Sequence, residues 1–163
     1  MKSIAIAFAA LLLSQPASGQ VKVTGAEIVE YGIYTAEIQT AKRDSKGVLQ
    51  SNLGDISHAT TTTTVPARHG VRFGFRYKVT GTPDGATIPL KFVTVFPPAG
   101  LSPPNMAQPI HNSESGQTAK IGGVGYHDYG FGDPWELVPG PWTIQMWYGK
   151  TKLAEKNFTV TAP

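Results

Sequence analysis

A chain of 163 residues is long enough to bury one ordinary core and short for two domains. Its formal charge of +3, from 14 basic against 11 acidic residues, is too small an excess for a nucleic-acid footprint. Cysteine is absent, which excludes disulfides, thiolate metal centres and thiol nucleophiles, so the fold must rest on packing alone.

The N-terminus reads as an export signal. Lys2 is a short positive region, residues 4–13 are an apolar run, and Ala17-Ser18-Gly19 is a small-residue cleavage site, predicting a signal peptide over 1–19 and a mature chain from Gln20. The apolar run is about half of the roughly 20 residues that a bilayer core requires, so no membrane span is expected after cleavage. Loss of Lys2 takes the formal charge from +3 to +2. Such a signal, with no cysteine to accept lipid, points to a bacterial periplasmic or secreted protein.

Residues 21–40 are rich in β-branched and aromatic side chains, interrupted by Gly25 and Gly32, and predict one long kinked strand or two short ones. Residues 41–55 carry charge, Ser, Asn and Gly without an apolar period and read as a mobile loop. Residues 56–65 contain five consecutive threonines and read as a strand at a sheet edge, ended by Pro66. The cleanest alternation follows: Val71, Phe73, Phe75, Tyr77 and Val79 on one face, Arg72, Gly74, Arg76 and Lys78 on the other. A Gly-Thr-Pro-Asp-Gly turn leads to an evenly apolar strand over 87–96, which suits a central position. Residues 97–115 hold five prolines and predict a long ordered loop, and residues 115–124 one short strand.

The last part of the chain is the most legible. Pro139-Gly140-Pro141 forces a bend, after which Trp142, Ile144, Met146 and Tyr148 alternate with Thr143, Gln145 and Trp147. Gly149-Lys150 reverses the chain, and residues 153–160 return as the second strand of a hairpin, with Phe158 and Val160 facing inward. Seven or eight strands and no capped helix of 3.6 period predict an all-β, immunoglobulin-like antiparallel β-sandwich over 20–163, with a small β-barrel as the alternative.

The segments Gly-Val-Arg-Phe-Gly-Phe-Arg-Tyr-Lys-Val-Thr-Gly at 70–81, Lys-Phe-Val-Thr-Val-Phe-Pro at 91–97 and Trp-Glu-Leu-Val-Pro-Gly-Pro-Trp at 135–142, followed by Phe158, travel together. In this pattern the chain resembles a family of exported bacterial proteins defined only as a domain of unknown function, over residues 31–160. The resemblance implies an immunoglobulin-like sandwich and brings no catalytic residue, ligand or cofactor.

Chemistry is sparse. His58, His69, His111 and His127 lack the short fixed spacing of a metal pair, although a loop that brought His127 and Asp128 to Asp133 or His111 would make one. Met106 with His111 is thin support for copper, so no metal or cofactor is expected. No Gly-x-Ser-x-Gly elbow occurs, and Ser113 and Ser115 have no evident base. Asp128, Asp133 and Glu136 would suit glycoside hydrolysis at the right separation, but Glu136 at a corner reads better as an acceptor for turn amides or for an arginine of the 70s strand. Arg72, Arg76 and Lys78 form a basic stripe that reads as a solvated sheet face.

The remaining candidate is the aromatic and glycine-rich segment containing Tyr126, His127, Asp128, Tyr129, Phe131, Asp133 and Trp135. Read as a loop, it offers rigid amphipathic contact area to a protein, glycan or small molecule, and equally plugs the end of the sandwich. The expected function is therefore a non-enzymatic periplasmic binding or interaction module using this segment and the neighbouring proline loop. The alternatives are an assembly role in the envelope by strand addition at residues 56–65, and a hydrolase or metal-dependent enzyme using His127, Asp128 and Asp133.

Overall fold

The computed structural model describes residues 20–162; the expected signal peptide lies outside them. It contains nine strands, more than the seven or eight counted in the sequence, in two sheets. The first sheet has the order β2-β1-β4-β7, from β1 (Lys22–Arg43), β2 (Leu49–Thr60), β4 (Arg72–Thr82) and β7 (Val124–Gly130). The second has the order β3-β9-β8-β5-β6, from β3 (Thr64–Pro66), β5 (Thr87–Val95), β6 (Asn112–Lys120), β8 (Gly140–Tyr148) and β9 (Thr151–Thr161). All pairings are antiparallel except β3 with β9. The sheets stack without closing, so the barrel alternative is not the fold.

Period-two patterning carries the core. Phe73, Phe75, Tyr77 and Val79 of β4 are fully buried and face Ile88, Leu90 and Phe92 of β5, Trp142, Ile144 and Met146 of β8, and Phe158 and Val160 of β9. Aromatic rings knit one end: Phe73 lies 5.0 Å from Phe158, and Trp142 lies 5.0 Å from both Phe96 and Tyr129. The Trp142 indole N–H donates to the Val138 carbonyl at 3.0 Å, which satisfies the one polar atom that its burial would orphan.

Three sequence readings are corrected here. Residues 41–55 are not a free loop: β1 runs on to Arg43 and pairs with β2, forming a long hairpin arm. β1 pairs with β4 only as far as Tyr34, and its ladder with β2 carries three register shifts, one at Ile33/Tyr34 and two beyond it. Gly32 permits this close fold, because its φ is 140° and a Cβ there would stand 1.9 Å from the Thr60 carbonyl. The predicted strand over 56–65 is two pieces, the end of β2 in one sheet and β3 in the other. Residues 125–130, read as a loop, belong to strand β7, paired with β4 from Arg72↔Gly130 to Lys78↔Val124. Polar and glycine-rich strands escape a reading based on apolar alternation, because backbone ladders hold them and their neighbours supply the side chains.

Candidate functional site

The arm folds back and seats its tip on the sandwich. Asp44 Oδ1 accepts from the backbone N–H of Lys46 at 2.9 Å and of Val48 at 3.0 Å, which shapes the reversal. Arg43 donates to Asp133 at 2.6 Å, and Lys46 Nζ donates to the Asn112 carbonyl at 2.9 Å. Val48 is buried in the core cluster, and Leu49 packs against Gly132. Nearer the base of the arm, Arg76 donates to the Ile56 carbonyl at 3.0 Å.

Between this arm and the β6–β7 side of the sandwich lies a cavity of about 590 Å³, within the roughly 300–1,000 Å³ of ligand sites. The arm contributes Gln50, Ser51 and Asn52; the sandwich contributes Ser113, Ser115 and Gln117 of β6 and residues 126–130 of β7. Arg72 and Asp128 also line it, paired to each other through Nε–Oδ2 at 2.5 Å and Nη2–Oδ1 at 3.2 Å, so these two charges neutralise one another. The rest of the lining mixes hydroxyl and amide groups with the apolar side chains of Val48, Leu49, Leu53 and Ile56, and Lys42 of the arm adds a positive charge. The Tyr126 hydroxyl is buried without a hydrogen-bond partner, as is that of Tyr34, whose ring meets Tyr126 edge-on at 4.8 Å.

The residues singled out in the sequence divide among three surroundings. Tyr126, His127, Asp128 and Tyr129 line the cavity. His127 and Asp128, being consecutive on a strand, point to opposite faces. The His127 ring stacks on Phe92 at 3.9 Å with Nδ1 3.2 Å from Gln117 Oε1, and burial, with the Arg72 charge beside it, holds its imidazole down to about 3. Tyr129 also packs in the core, and its hydroxyl donates to Glu136 at 2.7 Å. Phe131 is wholly core. Asp133 and Trp135 lie apart, lining a second cavity of about 440 Å³ with the arm tip, Pro103 and Met106. The segment is therefore not one contact loop.

Its glycines are slots for neighbouring side chains. A Cβ at Gly125 would stand 2.3 Å from Tyr77 Cζ, and one at Gly130 would stand 2.5 Å from an Arg72 guanidinium nitrogen. Glu136, with no exposed surface, accepts from Tyr129 and from the backbone N–H of Gly132 at 2.6 Å and Asp133 at 2.8 Å; the corner brace expected from the sequence is built on turn amides. Burial raises its carboxyl above the ordinary range.

The enzymatic arrangement is not assembled. Asp128 is held by Arg72, Asp133 by Arg43, and among the described residues no group of three or more His, Asp and Glu stands close enough to hold a metal ion. The basic stripe of β4 is also partly neutralised, since Arg76 pairs with Glu30 at 3.1 Å. What sequence reading missed is the arm wall, because Gln50, Ser51 and Asn52 look like any polar loop until the chain folds back. Among the described residues no helix is long and apolar enough to cross a membrane.

Two unclosed sheets stacked face to face around this aromatic core define an immunoglobulin-like sandwich. A solved immunoglobulin-like protein from Pseudomonas aeruginosa is similar to this chain at 29% identity, over 90% of this chain and 100% of that one, with a TM-score of 0.58. The chain belongs to the family described as a domain of unknown function, DUF3859, whose model matches residues 22–160. No curated protein matches it.

Proposed function

We propose that this chain is a non-enzymatic binding module of the bacterial envelope, exported by residues 1–19, and that the arm-covered cavity takes a neutral polar ligand. The observation that carries the reading is the cavity of about 590 Å³, walled by hydroxyl and amide groups interleaved with Val48, Leu49, Leu53 and Ile56, in which the Arg72–Asp128 ion pair satisfies itself and Lys42 is the remaining formal charge. Such a wall rewards hydrogen-bonding ligands and offers little to a strongly charged one. Export is supported by Lys2, the apolar run and the small-residue cleavage site, and fractionation of the producing bacterium tests it, with the chain expected outside the cytoplasm.

Strand addition at residues 56–65 fares less well. β2 carries register shifts, and β3 is three residues long and ends at Pro66, devices that discourage edge pairing. A thermal-shift screen against neutral oligosaccharides and short linear peptides tests the cavity. At a concentration of about 100 Kd a ligand adds about 2.7 kcal/mol to stability, so at least one is expected to raise the melting temperature of the wild type and not of Ser115→Trp or Ser51→Trp. A panel in which no compound distinguishes wild type from both variants would sink the reading.

A further inference from the structure

Resting on the cavity as the binding site, we infer that its ligand is an extended polypeptide segment that pairs with the free backbone edge of β7. The first ground is the pattern of lining residues. Successive residues of a strand point to opposite faces, so a ligand lying on a face meets every second residue. The cavity is instead lined by Tyr126, His127, Asp128, Tyr129 and Gly130 in unbroken sequence. A cleft running along the strand's edge meets all five. The facing walls repeat the feature, with residues 115–117 of β6 and 49–53 of β2 also consecutive.

The second ground is the direction of the β7 backbone groups. In an antiparallel pair, alternate residues turn both N–H and C=O toward the partner and the intervening ones turn both away. Gln117 Nε2 donates to the Tyr126 carbonyl at 3.0 Å from the side opposite β4, so the even-numbered residues face the cleft. The odd set faces β4, and Phe131 continues it, bonding Val71 at 3.0 Å and Gly70 at 2.9 Å. The Tyr126 N–H and the N–H and C=O of both Asp128 and Gly130 therefore point into the cleft. β7 is paired with β4 alone, and none of these groups has another backbone partner among the described residues.

An extended peptide supplies what this edge lacks, a matching row of alternating donors and acceptors. Its side chains would alternate between the outer wall, where Arg72, Tyr126 and Asp128 lie, and the inner wall, where Gln117 and His127 lie. A sugar has hydroxyls but no backbone repeat at strand spacing. The neutralised Arg72–Asp128 pair favours peptides with neutral polar side chains at the buried positions.

The test is selection from a random linear dodecapeptide library on the wild-type chain, counter-selected on Ser115→Trp and Ser51→Trp. Enriched peptides are expected to shift the backbone amide resonances of Tyr126, Asp128 and Gly130 more than those of His127 and Tyr129. N-methylation at alternate peptide positions should weaken binding about tenfold, the worth of one such hydrogen bond, with little loss at the intervening positions. The inference is overturned by failure to enrich peptides, by amide shifts elsewhere, or by N-methylation without alternation. Should a neutral oligosaccharide bind in the cavity while no peptide does, strand pairing is refuted and the cavity stands. If neither probe distinguishes wild type from the two variants, both fall together.

Discussion

Glu136 shows how much one side chain organises. Its two carboxylate oxygens collect three donors from residues 129–133, which sets the path by which the chain leaves β7 and turns toward β8. Tyr129→Phe removes one donor and leaves a buried acceptor short, a loss of about 1–3 kcal/mol, to be read as a lower urea midpoint with unchanged slope. An unchanged midpoint would show the contact to be idle. His127 makes a second residue-scale prediction. It titrates near about 6.5 in an unfolded chain and is held to about 3 in the folded one by burial and by Arg72. The native state therefore binds fewer protons below that unfolded value, so the contribution is full above about pH 6.5 and is lost as pH falls toward the folded value. His127→Phe keeps a ring against Phe92 and removes the titration, and its urea stability should drop less than the wild type's between about pH 7 and pH 4.5. Parallel losses in the two proteins would count against it.

The arm decides the site at the scale of elements. Its strands lack apolar alternation, so their pairing is set by the backbone ladder, the bulges and the Asp44 reversal, and its seat by Val48, Arg43 and Lys46. The tip contacts are exposed and should add little to global stability while fixing local closure. Arg43→Ala with Lys46→Ala is expected to speed hydrogen exchange of the amides over residues 40–52 and to leave the global unfolding midpoint nearly unchanged. Exchange at the wild-type rate would show that Val48 and Leu49 hold the arm by themselves. The strand β7 was hidden for a related reason. Its glycines, read locally as loop residues, are places where Tyr77 and Arg72 of the neighbouring strand lie across the backbone, and local sequence carries no sign of that neighbour.

At the scale of the whole molecule, the sequence by itself determined the core and the fold class. Period-two alternation over β4 and β8, with the turns at residues 81–85 and 139–141, assigns inward and outward faces without knowledge of strand order, because burial of alternate side chains is a property of each strand alone. It also marked the aromatic segment from Tyr126 to Trp135, but as one surface. The tertiary structure divided it among cavity, core and second cavity, and decided which polar stretch would wall the site. Strand order, the fold-back of the arm and the exposure of an unpaired edge depend on contacts between residues far apart in the chain, such as Arg43 with Asp133 and Gln117 with Tyr126. No local pattern encodes them, because each partner is an ordinary polar residue until the other is brought beside it.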